Sequence, residues 1–210
     1  MARKLRSYGQ GRVDVYPFKK EDFNEIVRVI LVKRDKSIPG SSQWFQHYRN
    51  YIMMILGVNT GCRIETLLQL TPKHIGGGCV RIKEFKTNKV SRYELNNEVY
   101  EVVNKYISDI GIGEREYIFK SSRTSLKPLT RTQAYRIIKS LADEVGIKYA
   151  VGCHSLRKSY GRFTYDETHD IHLVQRMLKH SNPVITQNYI CLEDPEVTKQ
   201  RKKTNYGVGI

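Results

Sequence analysis

The amino-acid sequence predicts a mainly α-helical protein with one small antiparallel β-sheet, an α+β fold. Through most of the chain, apolar residues recur at spacings of three and four, which is typical of helices that bury one face. Between Cys79 and Leu95 the pattern changes to alternation, which is typical of strands. The chain has 210 residues, of which 40% are hydrophobic, so it can bury a core around these elements.

Two helices are predicted before residue 60. Residues 18–32 have apolar side chains at helical spacing, and the segment 37–40 (SIPG) interrupts the pattern. Ser41 or Ser42 can then cap a second helix, because a serine hydroxyl accepts a hydrogen bond from a backbone N–H of the first turn. This second helix is expected to run to about Val58.

A short helix and a β-hairpin are predicted next. The helix covers residues 63–70 and ends at Pro72, since proline has no N–H to donate. In the hairpin, residues 79–85 pair with residues 91–95 across a turn. Alternation places Glu84 on the same side as the apolar residues and leaves the basic side chains on the other side.

Helices dominate the second half of the chain. They are expected over residues 97–110 and 130–145, with a brief strand at 117–119 between them. Three short helices are predicted between His154 and Cys191, and Ser181-Asn182-Pro183 opens the last of them.

No linker divides the chain, so we predict one domain over residues 18–195. Residues 1–17 are expected to form a basic arm, and residues 196–210 a tail. The tail ends with apolar residues alternating with glycine, which suits either a strand added to a neighbouring subunit or a frayed terminus.

The charge of the chain points to a polyanionic partner. Thirty-six Lys and Arg residues against twenty-one Asp and Glu residues give a net charge of +15, which favours nucleic acid first and an anionic membrane surface second. The longest apolar stretch, residues 51–58, is too short to span a bilayer, and no apolar segment follows the basic first residues. We therefore expect a cytoplasmic protein that is nucleoid-associated when bound to DNA.

The sequence predicts neither a metal nor a cofactor. Its four cysteines are scattered without a C-x-x-C pair and are interpreted as reduced packing residues. His169 and His172 lie three residues apart, but no ligand set completes a zinc site around them. A nucleotide-binding G-x-x-x-x-G-K-[ST] loop is also absent from the sequence.

Three motifs suit chemistry on a phosphate group. His154 and Arg157 would share one face of a helix, and an arginine fork matches two phosphate oxygens. Arg63 stands at the predicted start of a helix, whose positive end favours anions. His180 is followed nine residues later by Tyr189. Taken singly, each motif is more typical of a solvated helix face or of a half-buried tyrosine.

Together these motifs resemble the tyrosine recombinases, the phage integrase family of site-specific recombinases. The matching strings are TGCRIETLLQL at 60–70, HSLRKSYG at 154–161 and LKHSNPVITQNY at 178–189. The basic hairpin FKTNKVSRYEL at 85–95 lies between the first and the second. The resemblance covers about residues 18–191, and the joint order of the strings is more specific than any one of them.

The resemblance implies a tyrosine-recombinase-like catalytic domain that cuts and rejoins DNA, as the integrases and invertases of mobile elements do. The reaction would pass through a 3′-phosphotyrosyl intermediate and a Holliday junction, without a cofactor. Tyr189 matches the nucleophile. Arg63 and Arg157 match the arginines that clamp the scissile phosphate, and His154 and His180 match the histidines that bind it and assist proton movement.

Further residues and partners follow from the same resemblance. Lys86, in the hairpin turn, matches the lysine that protonates the leaving 5′ oxygen, and its neighbours Lys83 and Lys89 are rivals for that role. The expected partners are double-stranded DNA, a homotetramer formed on the DNA, and accessory DNA-bending or directionality proteins, with no membrane. The residues expected to bind DNA are Lys83, Lys89, Arg92, Lys120, Arg123, Arg131 and Arg136.

The chain departs from the family pattern in three respects. An acid usually stands three positions after the first arginine, where this chain has Thr66, and whether Glu65 supports Arg63 instead stays open. Lys179 stands before the last histidine, where glycine is usual. Many members also have a separate helical domain ahead of the catalytic one. The short chain suits either a naturally small member, similar to the single-domain DNA invertases, or a truncated protein, and the initial Met favours the former.

Two other functions are compatible with a basic chain of this kind. A type IB topoisomerase-like enzyme would use the same nucleophile chemistry to relax supercoils, but the H-x-x-R and H…Y strings follow the recombinase pattern. A non-enzymatic basic DNA-binding protein would not need all six matched residues.

Overall fold

The computed structural model describes residues 15–84 and 89–192, together with Lys203. Within these residues the chain is mainly helical and contains a three-stranded antiparallel sheet, which confirms the predicted fold class. Most of the N-terminal arm, the hairpin turn that contains Lys86, and the C-terminal tail lie outside the described residues, so the predictions made for them remain predictions.

The first two helices pack against each other and begin the core. Helix α1 spans Lys20–Lys36, and α2 spans Ser42–Thr60. Ser41 caps α2, since its hydroxyl accepts a hydrogen bond from the backbone N–H of Trp44 at 3.2 Å. Gly61 ends α2 in the left-handed conformation, with φ of 58°.

A short helix leads from α2 into the sheet. Helix α3 covers only Ile64–Leu67, so the predicted helix over 63–70 is too long. Strands β1 (Ile75–Gly76), β2 (Cys79–Lys83) and β3 (Val90–Glu94) follow in the order β1-β2-β3, all antiparallel. The two-residue β1 was not predicted, because a run of glycines beside it hides any alternation.

The hairpin presents its two faces as its alternation predicts. Val80, Ile82 and Glu84 are buried, whereas Arg81 and Lys83 are exposed. The inner face therefore brings one carboxylate into the interior of the protein. A buried carboxylate requires hydrogen-bond donors or cations around it, and these prove to belong to the candidate site.

Helices α4 (Asn97–Ile110) and α5 (Arg131–Glu144) follow, close to the predicted ranges. The strand predicted at 117–119 between them is wrong. Ile118 and Phe119 are fully buried, but they lie in turns. The N–H of Ile118 donates to the backbone oxygen of Leu70 at 2.8 Å, and the backbone oxygen of Phe119 accepts from the N–H of Leu129 at 2.7 Å. Burial explains the apolar composition that indicated a strand.

The last three helices form the C-terminal part of the described chain. Helix α6 spans Cys153–Thr168, α7 spans Ile171–Leu178 and α8 spans Pro183–Tyr189. As predicted, Asn182 and Pro183 open α8, and the Asn182 side chain accepts from the N–H of Ile185 at 2.9 Å. At 16 residues, α6 is longer than the short helix expected.

Two apolar clusters hold these elements together. The larger one contains residues from all of the first six helices and from the sheet. The smaller one consists of Val174, Leu178 and Ile190, with the Tyr189 ring packed against it. Three of the four cysteines are buried and the fourth is half-buried, all as free thiols. Within the part of the chain that the structure describes, no helix is both long and apolar enough to cross a membrane.

Candidate active site

Arg157 lies at the centre of the candidate site, on the first half of α6. Its side chain is buried, and one guanidinium nitrogen donates to the backbone oxygen of Gly61. Another nitrogen donates to the backbone oxygen of Leu178 at 2.7 Å. Arg157 thereby ties the end of α2 to the end of α7, the two places where the other motifs begin.

Gly61 makes room for this arrangement. Its positive φ disfavours a side chain, and a β-carbon there would collide with the ring of Tyr160 on α6. The turn that precedes Arg63 can therefore approach α6 closely.

Arg63 is the N-cap residue of α3 and forms an ion pair with Glu84, whose side chain is 4% exposed. Glu65, by contrast, forms an ion pair with Arg131 at 3.1 Å. The carboxylate that supports Arg63 is thus Glu84, from the hairpin, and the question left open for Glu65 is answered. The sequence feature that indicated this partner was Glu84 itself, a single acid on the apolar face of a basic hairpin.

Glu84 also accepts hydrogen bonds from two side chains of β3. The hydroxyl of Ser91 donates at 2.6 Å and that of Tyr93 at 3.0 Å. Burial by itself would raise the pKa of Glu84, but these hydrogen bonds and the charges of Arg63 and Lys179 outweigh it and leave the pKa lowered. The carboxylate is therefore ionised at neutral pH.

His180 follows the end of α7 and faces α8. Its Nδ1 lies 3.1 Å from the hydroxyl of Thr186, a fully buried residue that the sequence analysis did not single out. Burial lowers the pKa of His180, and the positive charges of Arg157 and Arg63 lower it further. The imidazole is accordingly neutral at pH 7 and can accept a proton.

Tyr189 is the last residue of α8 and is half-buried. Its ring stands edge-on to the His180 ring, with centroids 4.9 Å apart, and the ammonium of Lys158 lies 5.3 Å from its centroid. Burial raises the pKa of Tyr189, although Arg157 and Arg63 oppose the rise. The phenol is therefore protonated at neutral pH and needs a base before it can attack.

His154 lies on the first turn of α6 and is exposed. Partial burial of its ring lowers its pKa, and the charges of Arg131 and Arg157 add to this effect. His154 thus belongs to the same electrostatic environment as Arg157 and supplies a second neutral imidazole.

The structure brings together five of the six residues that match the family's catalytic set. They are Arg63, His154, Arg157, His180 and Tyr189. Arg157 lies one turn after His154 on α6 and bonds the backbone at Gly61, two residues before Arg63, and at Leu178, two residues before His180. Lys86 lies outside the described residues. The turn that contains it starts after Glu84, the partner of Arg63, and a backbone hydrogen bond of 2.8 Å joins Glu84 to Lys89 on its other side.

Of the seven residues expected to bind DNA, six are exposed and one is not. Lys120 is buried, and its ammonium pairs with Glu116 at 2.9 Å, so it is a structural residue here and not a free surface cation. Sequence spacing gave no sign of this burial. The exposed residues are Lys83, Lys89, Arg92, Arg123, Arg131 and Arg136.

A model of the phage integrase family matches residues 22–196 of the chain. The chain belongs to the phage integrase family. The resemblance inferred from the three motifs is confirmed, and the chain is a site-specific recombinase, an enzyme that breaks and rejoins DNA.

Known relatives agree with this assignment. The probable integrase/recombinase YoeC of Bacillus subtilis (strain 168) is 37% identical over 147 residues, which cover 70% of this chain and 79% of YoeC. Tyrosine recombinase XerD of Staphylococcus saprophyticus is 29% identical over 186 residues, 85% of this chain and 59% of XerD. The chain thus spans about three fifths of that XerD.

A solved structure shows the same fold. The XerA recombinase superposes with a TM-score of 0.68 at 18% identity, over 94% of this chain and 68% of XerA. The recombinase fold is therefore retained at low sequence identity.

Proposed function

We propose that the chain cleaves double-stranded DNA with Tyr189 as the nucleophile. The phenol oxygen attacks the scissile phosphorus and forms a 3′-phosphotyrosyl bond, while the bond to the 5′ oxygen breaks and leaves a 5′ hydroxyl. The observation that supports this best is the place of Tyr189, whose ring stands edge-on to His180 with centroids 4.9 Å apart and whose side chain is hydrogen-bonded by Arg157.

The two arginines bind and stabilise the phosphate. Arg157 uses two N–H groups on backbone oxygens and also donates a hydrogen bond to the side chain of Tyr189, so it can hold the nucleophile beside the phosphate that its guanidinium binds. Arg63 is 24% exposed and therefore open to a ligand. Positive charge held in place before the reaction stabilises the transition state more than the ground state, because negative charge builds up as the phosphorus becomes pentavalent.

Proton transfers complete the reaction. The raised pKa of Tyr189 calls for a base, and the neutral imidazoles of His154 and His180 can accept its proton. The leaving 5′ oxygen needs a proton in turn, and Lys86 on the hairpin turn supplies it.

The surrounding basic surface binds the DNA backbone. Lys83 and Arg92 are exposed on strands β2 and β3, next to the turn that contains Lys86, and Arg131 is exposed at the start of α5. These side chains suit sequence-independent phosphate contacts, which set the register of the DNA without reading its bases. We further propose that recombination takes place in a homotetramer on DNA, with accessory DNA-bending or directionality proteins at some sites.

Covalent capture tests the nucleophile. The protein is incubated with a pool of nicked duplexes whose central segment is randomised, and the DNA that survives denaturant is recovered and sequenced. We expect a covalent complex with wild-type protein and none with Tyr189→Phe. Because the phenyl ring keeps its packing against Val174 and Ile190, the variant should fold normally.

Tyr165→Phe is the matched control, since Tyr165 packs against the same small cluster. It should trap DNA as the wild type does. Trapping by Tyr189→Phe, or its loss in Tyr165→Phe alone, would overturn the assignment. The recovered sequence then serves as a defined cleavage substrate. A Holliday junction formed from two copies of it would distinguish strand exchange from topoisomerase-like relaxation.

A further inference from the structure

Lys179 holds an unfavourable backbone conformation. It ends α7 with φ of 55°, in the left-handed region, where a β-carbon crowds the following carbonyl oxygen. Glycine avoids this crowding, so a lysine here carries a cost that interactions of its side chain can offset. Its position matters because His180 is the next residue.

The side chain of Lys179 reaches from the α7–α8 turn to the sheet. Its ammonium donates to the hydroxyl of Ser91 at 2.6 Å and lies 3.5 Å from a carboxylate oxygen of Glu84. It also lies 5.6 Å from the centre of the Tyr93 ring. Ser91 and Tyr93 belong to β3, and Glu84 directly follows β2, so all three partners lie on the hairpin.

Glu84 therefore links two cations of the site. One carboxylate oxygen binds Arg63, and the other accepts from Ser91 and Tyr93 and faces Lys179. Exposed ion pairs contribute little to stability. The carboxylate of Glu84 is buried and hydrogen-bonded, so solvent screens its attraction to Lys179 less. The lysine side chain itself is 53% exposed, so it closes over the carboxylate from outside.

We infer that Lys179 is a positioning residue for strand cleavage. It fastens the turn that contains His180 to Ser91 and to Glu84, the partner of Arg63. His180 and Arg63 are thereby held to act on one phosphate. The inference rests on the proposed function, since it presupposes the roles of His180 and Arg63. Neither spacing nor family membership assigns a role to this lysine.

Lys179→Gly separates this role from a purely structural one. Glycine relieves the left-handed backbone, so the variant should unfold at the same temperature as the wild type or at a higher one. We expect its single-turnover cleavage rate to fall about 10- to 100-fold, because small displacements of reacting groups are costly. Affinity for the recovered duplex should stay within about twofold, since one cation among many contributes little to binding.

Two variants serve as controls. Lys179→Arg keeps a cation that can reach Ser91 and Glu84, and it should recover most of the cleavage rate. His169→Gly makes the same backbone change at the end of α6, where φ is 52°, and should cleave as the wild type does. Equal losses in His169→Gly and Lys179→Gly would show that the loop backbone, not the ammonium, matters.

A double-mutant cycle with Ser91→Ala locates the interaction. If the bond between Lys179 and Ser91 carries the effect, the double variant should cleave about as slowly as the slower single variant. Additive losses, or wild-type cleavage by Lys179→Gly, would overturn the inference while wild-type trapping through Tyr189 still supported the proposed function. Covalent trapping of DNA by Tyr189→Phe would instead overturn the proposed function itself.

Discussion

Under the proposed function, Arg157 serves both the fold and the reaction. A guanidinium has five N–H donors, and two nitrogens of Arg157 already bond Gly61 and Leu178. Because the side chain is buried, removing it would leave these carbonyl oxygens without a partner. A truncation such as Arg157→Ala therefore confounds lost catalysis with lost stability, and a substitution that retains the charge is more informative.

Arg157→Lys should cleave at least about 100-fold more slowly, because a single ammonium cannot bond both carbonyl oxygens and also grip a phosphate in two places. Losing one charged hydrogen bond should lower the free energy of unfolding by about 1.5–3 kcal/mol. DNA affinity at fixed salt should change little. Single-turnover cleavage, urea unfolding and a binding titration measure the three quantities.

Arg162→Lys provides the comparison on the same helix. Arg162 is half-buried, pairs with Asp166 at 2.9 Å and donates to the backbone oxygen of Cys191 at 3.3 Å, bonds that a lysine ammonium can replace one at a time. The free energy of unfolding should stay within about 0.5 kcal/mol of the wild type, and cleavage should be unchanged. Similar slowing in Arg157→Lys and Arg162→Lys would contradict a phosphate-binding role that is particular to Arg157.

Single residues were predictable where chemistry depends on spacing along the chain. Arg157 and His154 share a helix, and His180 and Tyr189 flank one, so their nearness follows from local geometry. Residues that meet only through the tertiary fold were harder to find. Glu84 joins Arg63 across 21 positions, and alternation indicated only that it faces inward.

The β2–β3 hairpin is the element whose function is most open to test. Its strands place Glu84 beside Arg63 and begin the turn that contains Lys86. Lys86→Ala should cleave ordinary DNA poorly but recover on a duplex with sulfur in place of the 5′ bridging oxygen. A thiolate is a far weaker base than an alkoxide and leaves without an acid. The measurement is the ratio of cleavage rates on the two duplexes.

Lys83 and Lys89 are the matched controls for this experiment. Both are exposed and flank the same turn, so substitution by alanine removes an equal charge from nearly the same place. Lys83→Ala and Lys89→Ala should lower the rates on both duplexes by similar, modest factors. Selective recovery of either variant on the sulfur duplex would move the acid to that lysine.

Elements were predictable to the extent that their signals are local. The Ser41 and Asn182 caps and the residues of α4 were readable because caps and helical spacing act within a few positions. The strand expected at 117–119 failed because a short apolar run is buried equally well by turns. A strand forms only where a second strand pairs with it, and residues 117–119 alone do not show whether such a partner exists.

At the scale of the whole molecule, residues near both ends of the described chain line one cleft. The cleft has a volume of about 760 Å³ and lies between the segment before α1, at Tyr16, and the outer face of α6, at Arg162 and Phe163. Leu192, where the described residues reach the C-terminal tail, borders it. A tail with apolar residues near its end can fill such a cleft, either in its own subunit or in a neighbour.

Deleting residues 196–210 tests whether the tail joins subunits. The two apolar clusters built by the described residues, from Phe18 to Leu192, are kept whole in the shortened protein, so we expect it to fold and still trap nicked DNA through Tyr189. It should not form a tetramer on DNA, and recombination should fall far more than cleavage, because strand exchange needs neighbouring active sites. Native mass spectrometry of the DNA complex measures the assembly. Deleting residues 1–12 instead should reduce the salt dependence of binding and leave the tetramer intact, since four basic side chains would be lost from the arm. An unchanged tetramer after loss of residues 196–210 would show that the tail does not join subunits.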